Sequence, residues 1–187
     1  MIEVLLYVLL VRGGNMVDKA QVQAWVESAN REYQPAGIRL VVKRIRTVPN
    51  PYPLFDVLGN QFEKYHGLRV LSTRRGWVRP RRWITSWVVH GLQGPEGAYS
   101  WGMATGTCYR RYPMIVSSGI RKNSRGEDRV YHGEVALTHE AGHIVGAGHT
   151  EILPATIMHP DALRYAGERL YFADESISQM VNCRWGK

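Results

Sequence analysis

His139-Glu140-Ala141-Gly142-His143-Ile144-Val145-Gly146-Ala147-Gly148-His149 is the stretch from which the rest of the chain is read. On a helix, residues four apart lie on one face, so His139 and His143 project together and can bind one metal ion. Glu140, next to the first of them, leans toward the open side of that ion. Gly146, three residues past His143, can take the positive φ that ends a helix and turns the chain sharply. Such a turn brings His149 back as a third imidazole and leaves a fourth position for water. Three protein ligands plus an open position is the pattern of catalytic zinc, whereas structural zinc is usually closed by four. With seven histidines in 187 residues, a chance match to H-E-x-x-H-x-x-G-x-x-H is on the order of 10⁻⁴.

Outside this stretch the composition is that of an ordinary globular protein, 44% hydrophobic and 21% charged, which excludes a disordered chain. Its length suits one domain with an adequate core. The apolar run at 2–11 lacks a basic leader, carries Glu3 and is followed by Arg12-Gly13-Gly14-Asn15, so it reads as a buried strand rather than a signal peptide. At ten residues it is also too short to span a bilayer as a helix. No membrane span is expected, and the protein is expected to be soluble and monomeric. The formal net charge of +8 favours contact with anionic surfaces and says nothing about fold.

Read in order, the nearly continuous apolar run 2–12 predicts a strand covered on both faces. Asp18 predicts the N-cap of a helix reaching about Gln34, with Val22, Trp25, Val26, Ala29 and Tyr33 on its apolar face. Pro35 and Gly37 end that helix, and a second strand follows over 38–48. This β-α-β opening favours a parallel crossover. A short helix is expected over 54–65 and a short strand over 68–73. Further strands are expected over 83–89, 98–104 and 113–117, then a polar loop over 119–129. The metal helix is expected over 133–146 and a last helix over 174–184.

The histidine stretch resembles the metzincin clan of zinc metallopeptidases. The clan's second signature is a Met-turn beneath the metal, and Met158 in Ile157-Met158-His159-Pro160 follows His149 at a suitable distance. Pro160 in place of a metal-contacting Tyr makes the pattern closest to the matrixin and adamalysin side, although Thr150 matches neither and the subfamily stays open. The resemblance implies an α+β fold with an α/β-like N-terminal subdomain. Its parts are a twisted, mixed five-stranded sheet with one antiparallel edge strand, a backing helix, the active-site helix, and a small irregular C-terminal subdomain with one helix. In these terms 1–187 is one catalytic domain, with 1–149 as the N-terminal and 150–187 as the C-terminal subdomain. Ala98-Tyr99-Ser100-Trp101-Gly102-Met103-Ala104 stands where the family's substrate-binding edge strand stands, the alternative being an ordinary interior strand. Tyr165 is a candidate wall of the specificity pocket, or else a core residue. The resemblance also implies a disulfide between Cys108 and Cys183, the alternative being two free buried thiols. Oxidised cysteines would fit an extracellular location.

The implied reaction is peptide hydrolysis by an endopeptidase with one zinc ion held by His139, His143 and His149. Glu140 takes a proton from water as general base and returns it to the departing amine. His66, His90 and His132 fall outside any ligand spacing. His159 is close to the metal in sequence but constrained by the turn. Calcium is not expected, because 80–130 holds only Glu96, Glu127 and Asp128 as acids. A polypeptide is the expected substrate. The competing reading starts from Arg74-Arg75-Gly76-Trp77-Val78-Arg79-Pro80-Arg81-Arg82, the most basic stretch, which could contact nucleic acid or another anionic surface. On that reading the chain is a binding module on a metzincin fold with proteolysis secondary. A weaker third reading is a hydrolase of some other amide.

Overall fold

Strand β1 (Ile2–Val11) carries one charge, Glu3, in ten residues. Val4, Leu6, Val8 and Leu10 alternate with Tyr7, Leu9 and Val11, and all seven are buried. A strand apolar on both faces is stable only inside a sheet covered on both sides. In the computed structural model β1 lies between β2 (Ile38–Val48) and β3 (Trp83–Val89), parallel to both. The residues described are 1–12, 17–49, 83–89, 92–93, 99–100, 102–104, 108, 114–117, 121–122, 128–129, 132–151, 156–160, 162 and 170–183.

Helix α1 (Lys19–Tyr33) makes the crossover from β1 to β2. Asp18 caps it, its carboxylate accepting from the Gln21 amide at 2.8 Å, which satisfies one of the donors that a helix start leaves orphaned. Its buried face is Val22, Trp25, Val26, Ala29 and Tyr33. A 3₁₀ turn over Gln34–Ala36 and Gly37 in the left-handed region (φ 66°) then reverse the chain. Asn30 locks helix to strand: its amide donates to the Leu40 carbonyl (2.9 Å) and accepts from the Leu40 N–H (2.7 Å).

Two short strands follow β3, β4 (Leu92–Gln93) and β5 (Tyr99–Ser100), which pair with each other antiparallel. Next come β6 (Gly102–Ala104) and β7 (Met114–Ser117). The main sheet has the order β2-β1-β3-β7-β6. β7 runs parallel to β3, and β6 runs antiparallel to β7. Strands β8 (Arg121–Lys122) and β9 (Asp128–Arg129) form a separate antiparallel pair. Helix α2 (His132–Ile144) packs against α1, β6 and β7. The ring of Trp25 fills the space where Gly133 would carry a side chain, so α1 and α2 approach closely there. Helix α3 (Asp174–Asn182) closes the described chain, burying Ser176 and Met180.

Three expectations are corrected. The single strand over 98–104 is instead two, β5 and β6, belonging to different sheets. The polar stretch 119–129 contains the β8–β9 pair, because polar residues can still satisfy a backbone ladder. The last helix ends at Asn182, where the Cys183 N–H bonds back to the carbonyls of Gln179 and Met180. The expected helix over 54–65, the strand over 68–73 and the basic stretch 74–82 lie outside the described residues. Among the described residues no helix is long and apolar enough to cross a membrane.

Candidate metal centre and its surroundings

Helix α2 sets His139 and His143 one turn apart on one face. Their Nε2 atoms lie 3.1 Å from each other. After Ile144 the helix closes at Gly146, whose φ of 110° is open to glycine and strained for any side-chain-bearing residue. Its N–H bonds to the His143 carbonyl, and the Ala147 N–H to the Gly142 carbonyl. This reversal delivers His149, whose Nε2 is 3.1 Å from that of His143 and 3.3 Å from that of His139.

The other ring nitrogens settle which atoms face inward. His139 Nδ1 donates to the Ile157 carbonyl at 2.6 Å, and His143 Nδ1 donates to the Ala147 carbonyl at 2.9 Å. A carbonyl only accepts, so each Nδ1 holds the proton and each Nε2 presents a lone pair. Burial lowers all three imidazole pKa values. For His139 the value falls to about 4, with the His143 ring adding to the effect. His143 is lowered mainly by burial, and His149 by burial and then by His159. Neutral nitrogens facing one another this closely call for a cation among them. Two ligands about 2.05 Å from a tetrahedral zinc ion lie about 3.3 Å apart, and the three separations match. The donor set, three imidazole nitrogens within one ion's reach, therefore fits zinc.

Glu140 is buried, with 7% of its surface exposed. Burial pushes its pKa up to about 8, opposed by a backbone hydrogen bond from Ala104. The carboxylate thus lies under β6. A Cβ at Gly102 would fall 2.5 Å from both Cγ and Oε1 of Glu140, so the strand passes over the side chain with no room to spare.

Beneath α2, Met158 is completely buried. A Cβ at Gly142 would fall 2.7 Å from its Sδ. The Met158 carbonyl accepts from the Thr150 N–H at 3.1 Å, tying this turn to the residue after His149. Cys108 and Cys183 form a disulfide, their Cα atoms 5.3 Å apart. It packs on the reversal before His149: a Cβ at Gly146 would fall 2.8 Å from Cys108 Sγ and from Cys183 Cβ.

No protein-family model matches the chain, and no curated protein matches it by sequence. Solved structures do match. Metalloproteinase-II from Bacteroides fragilis superposes with a TM-score of 0.67 at 12% identity, over 97% of this chain and 52% of that one. A zinc-dependent peptidase from Methanocorpusculum labreanum gives 0.60 at 15%, over 92% and 98%. An archaemetzincin from Methanopyrus kandleri gives 0.58 at 16%, over 95% and 93%. The chain has the fold these peptidases share. It spans about half the length of the first of them.

Of the residues singled out by sequence, the structure brings together His139, Glu140, His143 and His149, with Met158 and the Cys108–Cys183 pair packed around them. Gly102 and Ala104 lie over Glu140. Ala98, Trp101 and Tyr165 are outside the described residues. Three features of the site were not anticipated. The Ile157 and Ala147 carbonyls set the imidazole tautomers, which no side-chain pattern reveals. Gln179, from α3, reaches the Gly148 backbone. Gly102 makes room for Glu140, and a glycine inside a strand pattern was the one available signal.

Proposed function

We propose that the chain is a zinc-dependent endopeptidase of the metzincin kind, acting on polypeptides. The observation that carries this reading is the convergence of three imidazole Nε2 atoms within 3.3 Å of one another, next in sequence to a buried carboxylate, Glu140. Zinc held by His139, His143 and His149 would supply polarisation of the scissile carbonyl and acidification of a water molecule. Glu140 takes the water's proton on its carboxylate and gives it to the departing amine. A carboxyl with a raised pKa holds that proton readily, and a cation at the triad lowers the value again by favouring the carboxylate. Its burial under β6 keeps bulk water from competing.

Strand β6 ends the sheet order beside this carboxylate, which supports Gly102, Met103 and Ala104 as the place where extended substrate lies by backbone pairing. Met158 serves as the Met-turn, supporting α2 from below. The catalytic unit is the whole of 1–187, with the sheet and metal helix in 1–149 and the supporting turn and α3 in 150–187. The assignment is made at clan level: Pro160 and the disulfide favour the matrixin or adamalysin side, while an archaemetzincin is among the structures with this fold. The disulfide favours an oxidising compartment. The binding-module reading rests on 74–82, outside the described residues, and no structural observation favours it.

The test is the zinc content of the purified chain together with cleavage of a peptide library, with and without a chelator. Stoichiometric zinc and chelator-sensitive cleavage are expected. Glu140→Ala should keep its zinc and lose most turnover; undiminished cleavage by that variant would remove the general-base role.

A further inference from the structure

His149 differs from the other two ligands in how it is held. His139 and His143 are fixed by helix α2 and by carbonyl acceptors on Nδ1. His149 sits on an exposed arm, with Gly148 before it also exposed. Packing alone therefore holds it weakly, and the backbone on either side must fix its place. On the far side the Thr150 N–H is bonded to Met158. On the near side the Gly148 N–H donates to Oε1 of Gln179 at 2.7 Å.

We infer that Gln179 is a positioning residue for the third metal ligand, acting through the Gly148 amide. The inference rests on the metal-binding reading proposed above. Gln179 lies on α3 next to the buried Met180 and one turn before Cys183, whose disulfide ties that helix back to Cys108. Its Nε2 donates to Glu175 Oε1, four residues earlier, at 3.3 Å. That bond uses the donor end of the amide and leaves the acceptor end for Gly148. The side chain thus carries the rigidity of α3 to a backbone point one residue from the ligand. The partners lie 31 residues apart in sequence, so the bond joins α3 to the arm rather than stabilising either one locally.

The test uses the full chain with Gln179→Leu, which keeps the length and removes the acceptor, and Gln179→Glu, which keeps an acceptor. Zinc affinity is read by chelator competition at fixed pH, and the site geometry by the visible absorption bands of the cobalt-substituted protein. Partners that orient metal ligands typically matter about 10–100-fold in affinity. Gln179→Leu is expected to bind zinc at least about 10-fold more weakly, with shifted cobalt bands, while Gln179→Glu stays within about threefold of wild type. Far-UV circular dichroism of the metal-free variants confirms that they fold. Should Gln179→Leu be unfolded, Glu175→Ala replaces it, freeing the amide to turn and predicting a smaller loss in the same direction. Equal zinc affinity and unchanged bands in the folded variant would overturn the inference alone. A wild-type chain that takes up no zinc would overturn the proposed function and the inference with it.

Discussion

Gly102 lies against Glu140 so closely that a single added methyl would overlap the carboxylate's Cγ and Oε1. Strand β6 and the carboxylate proposed as general base are thus one packing unit. Gly102→Ala must displace either the strand or the carboxylate, whereas a Cβ at this position meets no atom of the three histidines among its nearest contacts. Zinc content is expected to stay at the wild-type level while turnover falls, on the order of 100-fold for a displacement near 1 Å. Metal analysis and peptide cleavage on the same sample check this. Loss of zinc in step with activity would count against it.

Glu140 also gives the metal-free protein a pH signature. Burial raises its pKa from 4.5 to about 8. A carboxyl raised on folding contributes stability that is present in full below 4.5 and lost as pH rises through 8. His139 acts in the opposite sense. Its value is lowered from 6.5 to about 4, so its contribution is present above 6.5 and lost as pH falls toward 4. Between 6.5 and 8 the Glu140 effect is the one expected to act among the described residues with shifted values. The melting temperature of the metal-free chain is expected to fall across that window, and Glu140→Gln, which cannot ionise, should flatten it. Parallel curves for the two proteins would contradict the assignment.

These two residues also show what was legible in the sequence. The metal helix and its reversal could be read because their information is local: His139 and His143 are one turn apart, and Gly146 is where the chain must turn. The β-α-β opening was equally clear, since Asp18, the five buried residues of α1 and Gly37 all lie within one short segment. Strand 98–104 was misread because nothing in its composition says that Ser100 pairs with Leu92 while Gly102 pairs with Val116. That division is decided by partners elsewhere in the chain. Gln179 was not legible for the same reason. A glutamine four residues after a glutamate reads as a solvated helix pair, and its bond to Gly148 is set by how α3 docks.

Met158 should matter through packing rather than through the metal. It is fully buried with its sulfur against Gly142 in the last turn of α2. Met158→Ala removes those contacts and leaves a cavity under the helix, a change that costs about 2–5 kcal/mol in protein cores. The carbonyl that holds Thr150 belongs to the backbone and survives the substitution. A lowered melting temperature with one zinc per chain is the expected result, checked by thermal unfolding and metal analysis. Unchanged stability would mean that the turn does not support the helix.

The Cys108–Cys183 bond should couple stability to metal retention. It closes a separation of 75 residues, worth roughly 4 kcal/mol in the chain-entropy model. Its sulfurs also press on Gly146, the residue that turns the chain toward His149. Opening the bond frees α3 from the end of the edge-strand region and relaxes the reversal together with the arm that Gln179 holds. Replacing both cysteines by serine is therefore expected to lower the unfolding free energy by a few kcal/mol and to speed zinc loss to a chelator. The two effects separate experimentally. Denaturant unfolding of metal-free wild type and variant reads the cross-link alone, while chelator kinetics on the zinc-loaded forms read the arm. Two titratable thiols in the unreduced, denatured wild type would exclude the bond, and equal zinc release from both proteins would confine its role to stability.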